Sequence, residues 1–117
     1  AMADVLKRYP DLSGVFCTNE DVSDMYLALE KGENSPTMVG VDATTVQQKA
    51  IENGQELGTV SQDPYDVGYQ TIIAASQAMS TDETQAAAVE KNVLLEPKWI
   101  DATYIGDDTN SNYLYEK

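Results

Sequence analysis

The chain has no histidine, a single cysteine and 7 Lys+Arg residues against 20 Asp+Glu among its 117 residues. Without histidine, the Ser-His-Asp triad, the Cys-His dyad and zinc sites built on imidazole are all excluded. A lone cysteine cannot form a disulfide within the chain. Cys17 ends an apolar run with no basic residue nearby in sequence, which predicts a buried small side chain rather than a reactive thiol.

Basic side chains and long apolar runs are also scarce. The formal net charge is −13, and because a phosphate backbone binds clustered Lys and Arg, we expect neither nucleic acid nor an anionic membrane as a partner. No apolar run approaches the roughly 18 to 20 residues of a membrane-spanning helix. Hydrophobic residues still make up 42% of the chain, which is enough for the core of one domain or of a piece of a larger one.

The apolar pattern alternates between helices and strands. Helices are predicted over residues 2–9, 21–31, 44–53, 64–79 and 82–91, and strands over residues 14–17, 37–41, 57–61, 93–95 and 102–105. Gly32 is placed to end the second helix. The long helix from Pro64 to Met79 carries an apolar face, which predicts a core position. Strands alternating with helices of this length predict an α/β fold, a parallel sheet with right-handed crossovers and flanking helices.

Polar side chains follow the first three predicted strands. Asn19 comes shortly after the first strand, and Asp42 and Gln62 come directly after the second and third. In open parallel sheets, ligands bind beyond the carboxyl ends of the strands, where loops and helix N-termini converge. Amides offer donors and acceptors, and an ionised Asp can accept from two adjacent hydroxyls at once. This set, with no basic residue and no glycine-rich phosphate loop, predicts a site for a neutral polyol such as a sugar.

Each of these residues also has a purely structural interpretation. Asn19 and Asp42 can be helix N-caps, and Gln62 can be a surface residue before a proline-initiated helix. Taken alone, each residue is better explained this way, whereas all three on consecutive strand ends favour a binding site. A catalytic pair of acidic residues is a weaker alternative, since such pairs are common at helix N-termini. The candidate pairs are Glu20 with Asp21 and Asp42 with Asp63.

Three motifs in order resemble a known family. They are V-F-C-T-N-E-D from residue 15, M-V-G-V-D from residue 38 and G-T-V-S-Q-D-P from residue 58. Their order and spacing are similar to the later part of type I periplasmic sugar-binding proteins, the ribose- and galactose-type solute-binding subunits of ABC importers. The resemblance runs from about residue 2 to residue 105. It implies the C-terminal part of a two-lobed fold with the sugar held between the lobes.

The resemblance implies roles for the three strand-end residues and for the segments of the chain. Asn19 is similar to an Asn near the cleft, Asp42 to the carboxylate that grips sugar hydroxyls, and Gln62 to an amide at a hinge crossing that also reaches the ligand. Residues 1–63 would belong to the C-terminal lobe and residues 64–92 would cross to the other lobe. Residues 93–117 would return as strands and a polar tail, with 102–105 an edge strand of the first lobe.

The same resemblance implies no catalysis, no cofactor and no metal. Residues 108–112 have the opening spacing of a calcium loop, but Tyr113 stands where that loop requires glycine. The expected partners are a sugar and ABC permease subunits, and the expected location is extracytoplasmic, periplasmic or lipid-anchored. Self-association of the fragment through the Pro64–Met79 helix is a further expectation. The alternative function is the effector-binding domain of a lactose-repressor-type transcription regulator, and the sugar itself stays open.

Overall fold

The fold is seen in a computed structural model of the chain, which describes residues 2–29, 32, 35–90 and 92–115. The helices are α1 (Met2–Arg8), α2 (Glu20–Leu27), α3 (Thr45–Glu52), α4 (Pro64–Ala78), α5 (Glu83–Ala87) and α6 (Ala102–Ile105), followed by a 3-10 helix (Asp108–Tyr113). The strands are β1 (Gly14–Phe16), β2 (Thr37–Val41), β3 (Glu56–Ser61) and β4 (Lys98–Ile100). No helix among the described residues is long and apolar enough to cross a bilayer.

The four strands form one sheet in the order β1-β2-β3-β4. The first three strands are parallel, with Val39 paired to Phe16 on one side, and Val41 paired to Val60 on the other. Strand β4 pairs with β3 in the antiparallel direction. The α/β class and the flanking helices are therefore confirmed, while the edge strand makes the sheet mixed rather than entirely parallel.

The last strands were predicted in the wrong places. Residues 93–97 contain no strand, and residues 102–105 form helix α6 instead of an edge strand. Asp101 is the reason, because its carboxylate accepts from the backbone N–H groups of Thr103 at 2.9 Å and Tyr104 at 3.2 Å, which caps a helix. The edge strand is Lys98–Ile100, immediately before that cap.

Helices α2 and α5 fall furthest short of their predicted lengths. Helix α2 ends at Leu27 and is capped by Ala28, so the expectation that Gly32 ends it is wrong. Helix α5 covers Glu83–Ala87 rather than 82–91. Residues 30, 31 and 91, at the ends of these two predictions, lie outside the described residues. Short helices of this kind depend on their caps and neighbours more than on propensity, which the apolar spacing alone does not reveal.

The core lies on one face of the sheet. Met38 is fully buried there with Cys17 and Tyr26, and the apolar side chains of α1 pack around this cluster. A second cluster joins Ile51 of α3 to Ile100 of β4 and Ile105 of α6. Cys17 is free and buried, as the sequence predicts. Helices α1, α2 and α3 thus cover the face of the sheet that presents Met38.

Helix α4 does not join this core. Its predicted core residues are exposed by 54% or more of their surface, namely Tyr65, Tyr69, Ile72 and Met79. The prediction that this face is core is therefore wrong within the described chain, because α4 packs mainly against α5 and the 3-10 helix. The projection of α4 makes the chain elongated, with a radius of gyration of 18.5 Å against about 13 Å for a compact domain of this size.

A buried polar cluster lies between β2, β3 and helix α3. Glu56 is 1% exposed, and its Oε1 atom accepts from Nε2 of Gln47 at 3.3 Å, while Oε2 has no hydrogen-bond partner in the described part of the chain. Gly40 makes room for the cluster, since an added Cβ would lie 2.6 Å from both of those side chains. Burial raises the pKa of Glu56 to about 7, against the lowering effect of the Gln47 bond, and the charge of Asp24 raises it further.

We expect Glu56→Gln to stabilise the fold at pH 8 and to leave it almost unchanged at pH 4. Because the pKa of Glu56 is higher in the folded state than in the unfolded state, protonation of Glu56 stabilises the fold. This contribution is fully present below pH 4.5 and is lost as the pH rises to about 7. The effect of Glu56→Gln on the free energy of unfolding should differ between pH 8 and pH 4 by on the order of 3 kcal/mol at most. Urea unfolding across this pH range measures it. The exposed Glu52→Gln is the matched control, and equal pH profiles for the two variants would contradict the assignment.

Candidate functional site

The carboxyl ends of β1, β2 and β3 form one edge of the sheet, and the three predicted site residues follow them. Asp42 comes directly after β2 and Gln62 directly after β3, so the two meet across neighbouring strands. Asn19 lies in the turn after β1, which is on the other side of β2. The sheet thus brings the three polar residues to the same edge, as the strand-end rule predicts.

The backbone of Asp42 is held in an unusual conformation. Its φ is +72°, in the left-handed region that Asp and Asn tolerate better than other side chains. The Asp42 N–H donates to the carbonyl of Val60 at 2.9 Å, and the Asp42 carbonyl accepts from the hydroxyl of Thr59 at 2.6 Å. Because β3 holds both backbone groups, the carboxylate is fixed where the chain turns away from the sheet.

The Asp42 carboxylate has one occupied oxygen and one open oxygen. Its Oδ1 atom accepts from the hydroxyl of Tyr115 at 3.0 Å and from Nε2 of Gln62 at 3.4 Å. Oδ2 makes no hydrogen bond with the described residues. Asp42 is partly buried and Gln62 is exposed. The pair therefore presents an anionic acceptor, Oδ2, and an amide carbonyl to a polar ligand in solution.

Asn19 has a structural role as well as a place at this edge. Its side-chain oxygen accepts from the Val22 N–H at 3.0 Å and caps α2. The N-cap interpretation is thus confirmed for Asn19 and wrong for Asp42, because Thr44 caps α3 through a capping box with Gln47. The cap uses only the oxygen of Asn19, so its exposed Nδ2 group remains a donor for a ligand.

Tyr115 is the site residue that the sequence did not predict. It belongs to a segment, residues 111–115, that we call the strap because it lies across the carboxyl edge of the sheet. The Tyr115 N–H donates to the carbonyl of Ala43 at 3.1 Å, and its carbonyl accepts from Nε2 of buried Gln48 at 2.9 Å. The sequence signal for this contact is the apolar run Tyr113-Leu114-Tyr115, which predicts that the end of the chain packs against the rest of the domain.

The electrostatics of the edge favour a neutral ligand. Burial raises the pKa of Tyr115 to about 12, helped by its hydrogen bond to Asp42 and by the charges of Asp42 and Glu20. The phenol therefore keeps its proton at neutral pH and acts as a donor. The residues identified at this edge are acidic or neutral, so an anionic ligand would be repelled. No group of three or more metal-ligating side chains occurs in the part of the chain described by the structure.

A cleft of about 540 Å³ opens beside Tyr115. It is lined by the start of α4, at Pro64 and Tyr65, and by the strap. This volume is in the range of small-molecule sites, although only a few polar and aromatic side chains border it here. Tyr115 connects the cleft to Asp42, since it lines the one and hydrogen-bonds to the other.

The chain matches the family model for a periplasmic binding protein domain over residues 1–83. The chain belongs to the periplasmic binding protein family. This periplasmic binding protein domain is 30% identical over 87 residues to the ribose import binding protein RbsB of Escherichia coli (strain K12), a match that covers 73% of the chain and 29% of that protein. The RbsB protein of Salmonella typhimurium is 29% identical over the same length. The chain spans less than a third of these relatives.

Solved structures agree with the family assignment. A protein from Brachyspira murdochii, described as an ABC transporter, LacI family transcriptional regulator, superposes with a TM-score of 0.74 at 26% identity, over 99% of this chain and 41% of that one. An ABC transporter solute-binding protein from Agrobacterium vitis, with bound D-fucose, superposes with a TM-score of 0.75 at 24% identity, over 96% and 38%. The resemblance is therefore confirmed for the periplasmic binding protein family and its fold.

We expect Asp42→Ala to destabilise the periplasmic binding protein domain more than Asp42→Asn. Alanine at a φ of +72° is strained by about 1 kcal/mol and loses the bonds from Tyr115 and Gln62. Asparagine tolerates the left-handed region and keeps an acceptor oxygen. Urea unfolding of the two variants measures the difference. Equal losses of unfolding free energy would show that the left-handed backbone is not what limits this position.

Proposed function

We propose that the chain is part of the extracytoplasmic solute-binding component of an ABC importer and that it binds a neutral sugar without catalysis. The observation that carries the proposal is the pairing of Asp42 and Gln62, with Asn19 beside them, at the carboxyl edge of the parallel strands. The names of the RbsB relatives, which are ribose import binding proteins, support the same class of ligand.

The polar groups at this edge match the chemistry of a polyol. Asp42 Oδ2 accepts from a sugar hydroxyl, and the carbonyl of Gln62 accepts from another. Nδ2 of Asn19 donates to a ring or hydroxyl oxygen. A phosphorylated sugar would be disfavoured because, among the residues that the structure describes, no cation opposes Asp42 and Glu20 there. The ligand is held by hydrogen bonds alone, and no covalent bond is made or broken.

The segment boundaries follow from the same proposal. Residues 1–63 form part of one lobe, residues 64–92 cross to a second lobe, and residues 93–117 return to the first. Closure of the two lobes around the sugar is then a shift in population driven by contacts to both. The intact protein acts outside the cytoplasm, in the periplasm or anchored by a lipid, and delivers its sugar to ABC permease subunits.

A second candidate function is the effector-binding domain of a lactose-repressor-type regulator. The description of the Brachyspira murdochii structure, which names the LacI family, favours it. The two functions share the sugar site and differ in what is attached to it. The gene sequence upstream of residue 1 distinguishes them, because a regulator encodes a DNA-binding headpiece there and an importer component encodes an export signal.

We expect D-ribose to bind the 117-residue chain with a dissociation constant of about 1 mM or weaker, because one lobe supplies only one side of the cleft. A titration followed by NMR should move the backbone and side-chain signals of Asn19, Asp42 and Gln62. Asp42→Asn should abolish these shifts, since an amide replaces the anionic acceptor while the left-handed backbone is tolerated.

Asp11→Asn is the matched control for that titration, because Asp11 is exposed in the turn before β1, away from the carboxyl edge. Asp11→Asn should bind D-ribose as the parent does. The parent should bind ribose 5-phosphate more weakly than D-ribose. Unchanged binding by Asp42→Asn would sink the site assignment. Micromolar affinity of the isolated chain would contradict the need for a second lobe.

We further propose that the exposed apolar face of α4 is covered by the second lobe in the intact protein and by a second copy in the isolated chain. Ile72 is 69% exposed at the centre of that face, and contiguous apolar surface of this kind drives association. Sedimentation analysis should show dimers or larger species, and Ile72→Glu should shift them to monomers. Thr71→Glu, on the neighbouring face, is the control. A monomeric parent at about 100 μM would contradict this contact.

A further inference from the structure

Tyr115 fills a position at Asp42 that a ligand would otherwise take. A carboxylate oxygen has lone pairs for about two donors, and Oδ1 of Asp42 already accepts from the Tyr115 hydroxyl at 3.0 Å and from Gln62 at 3.4 Å. Oδ2 is left to receive a hydroxyl from outside. Asp42 therefore does not grip two adjacent hydroxyls with its two oxygens as long as the phenol stays in place.

The strap holds Tyr115 in place without help from Asp42. Besides the two backbone bonds of Tyr115 to Ala43 and Gln48, the buried hydroxyl of Ser61 donates to the carbonyl of Tyr113 at 2.6 Å. The Tyr113 ring packs edge to face on Tyr104, with 6.4 Å between ring centroids. Tyr113 and Leu114 also pack against the Ile51, Ile100 and Ile105 cluster. The phenol is thus a fixed wall of the site rather than a plug that a sugar displaces.

We propose that Tyr115 is a specificity-determining residue of the sugar site, which prevents Asp42 from binding two adjacent ligand hydroxyls with one on each carboxylate oxygen. The inference rests on the proposed sugar-binding function. Burial and the hydrogen bond to Asp42 keep the phenol protonated at neutral pH, so it serves as a donor to Oδ1. A sugar that offers two adjacent hydroxyls to this carboxylate therefore gains no hydrogen bond to Oδ1.

The test compares D-ribose with its monodeoxy analogues by NMR titration of the chain. In the parent, Asp42 offers only Oδ2 to the ligand, so an analogue should lose affinity through Asp42 only where its missing hydroxyl would bind Oδ2. Tyr115→Phe keeps the ring and frees Oδ1 of Asp42. An analogue that lacks the hydroxyl able to reach this oxygen, and that the parent binds as well as D-ribose, should then bind the variant about 3- to 10-fold more weakly than D-ribose does. Tyr113→Phe removes a strap hydroxyl that does not touch Asp42, and it should keep the parent pattern. An unchanged pattern in Tyr115→Phe would overturn the proposal.

A second measurement needs no ligand. In the chain labelled with ¹³C at the tyrosine ring, Tyr115 should titrate at about pH 12, and Asp42→Asn should lower that value. If Tyr115 titrates near 10, like an ordinary tyrosine, the hydrogen bond to Asp42 does not persist and the proposal fails. If this titration behaves as expected but the parent binds no neutral sugar, the proposed function fails and Tyr115 is left as a structural partner of Asp42.

Discussion

The candidate site depends on how β3 holds the end of β2. Asp42 leaves the sheet with a φ of +72°, and two neighbours on β3 bind its backbone through the Val60 carbonyl and the Thr59 hydroxyl. This pair of hydrogen bonds turns the chain sharply and aims the carboxylate along the open edge. Gln62 lies two residues beyond Val60, directly after the same strand, so one piece of backbone positions both the anionic acceptor and the amide.

The buried polar cluster between the sheet and α3 contacts the residues that hold this turn. Nε2 of Gln47 donates towards the carbonyl of Val41, Oε1 of Glu56 and Oγ1 of Thr59, all at 3.2 or 3.3 Å. Thr59 in turn donates to Asp42. A buried carboxyl whose second oxygen has no partner among the described residues is costly. Gln47 joins this carboxyl to Thr59, which links the packing of α3 to the conformation of Asp42. The glycine of the V-G-V-D motif has a physical reason here, since a Cβ at Gly40 would collide with the cluster.

Periodic apolar spacing and strand-end chemistry were enough to predict the first three strands, their helices and the positions of Asn19, Asp42 and Gln62. They failed where a single side chain sets the local structure. Asp101 caps a helix at residues that the apolar pattern assigns to a strand. They also failed for Tyr115, because nothing in sequence links it to a carboxylate 73 positions earlier. The apolar face of α4 was predicted from its own pattern, but a pattern does not say which partner covers it.

The central claim is that Asp42 binds a sugar hydroxyl at the carboxyl edge of the sheet. A crystal structure of the protein grown with D-ribose tests it most directly. We expect a sugar with a hydroxyl within hydrogen-bonding distance, about 2.5 to 3.0 Å, of Asp42 Oδ2, while Tyr115 stays on Oδ1 and Gln62 and Asn19 contact the ring. A sugar bound elsewhere on the protein, with Asp42 facing only solvent, would contradict it.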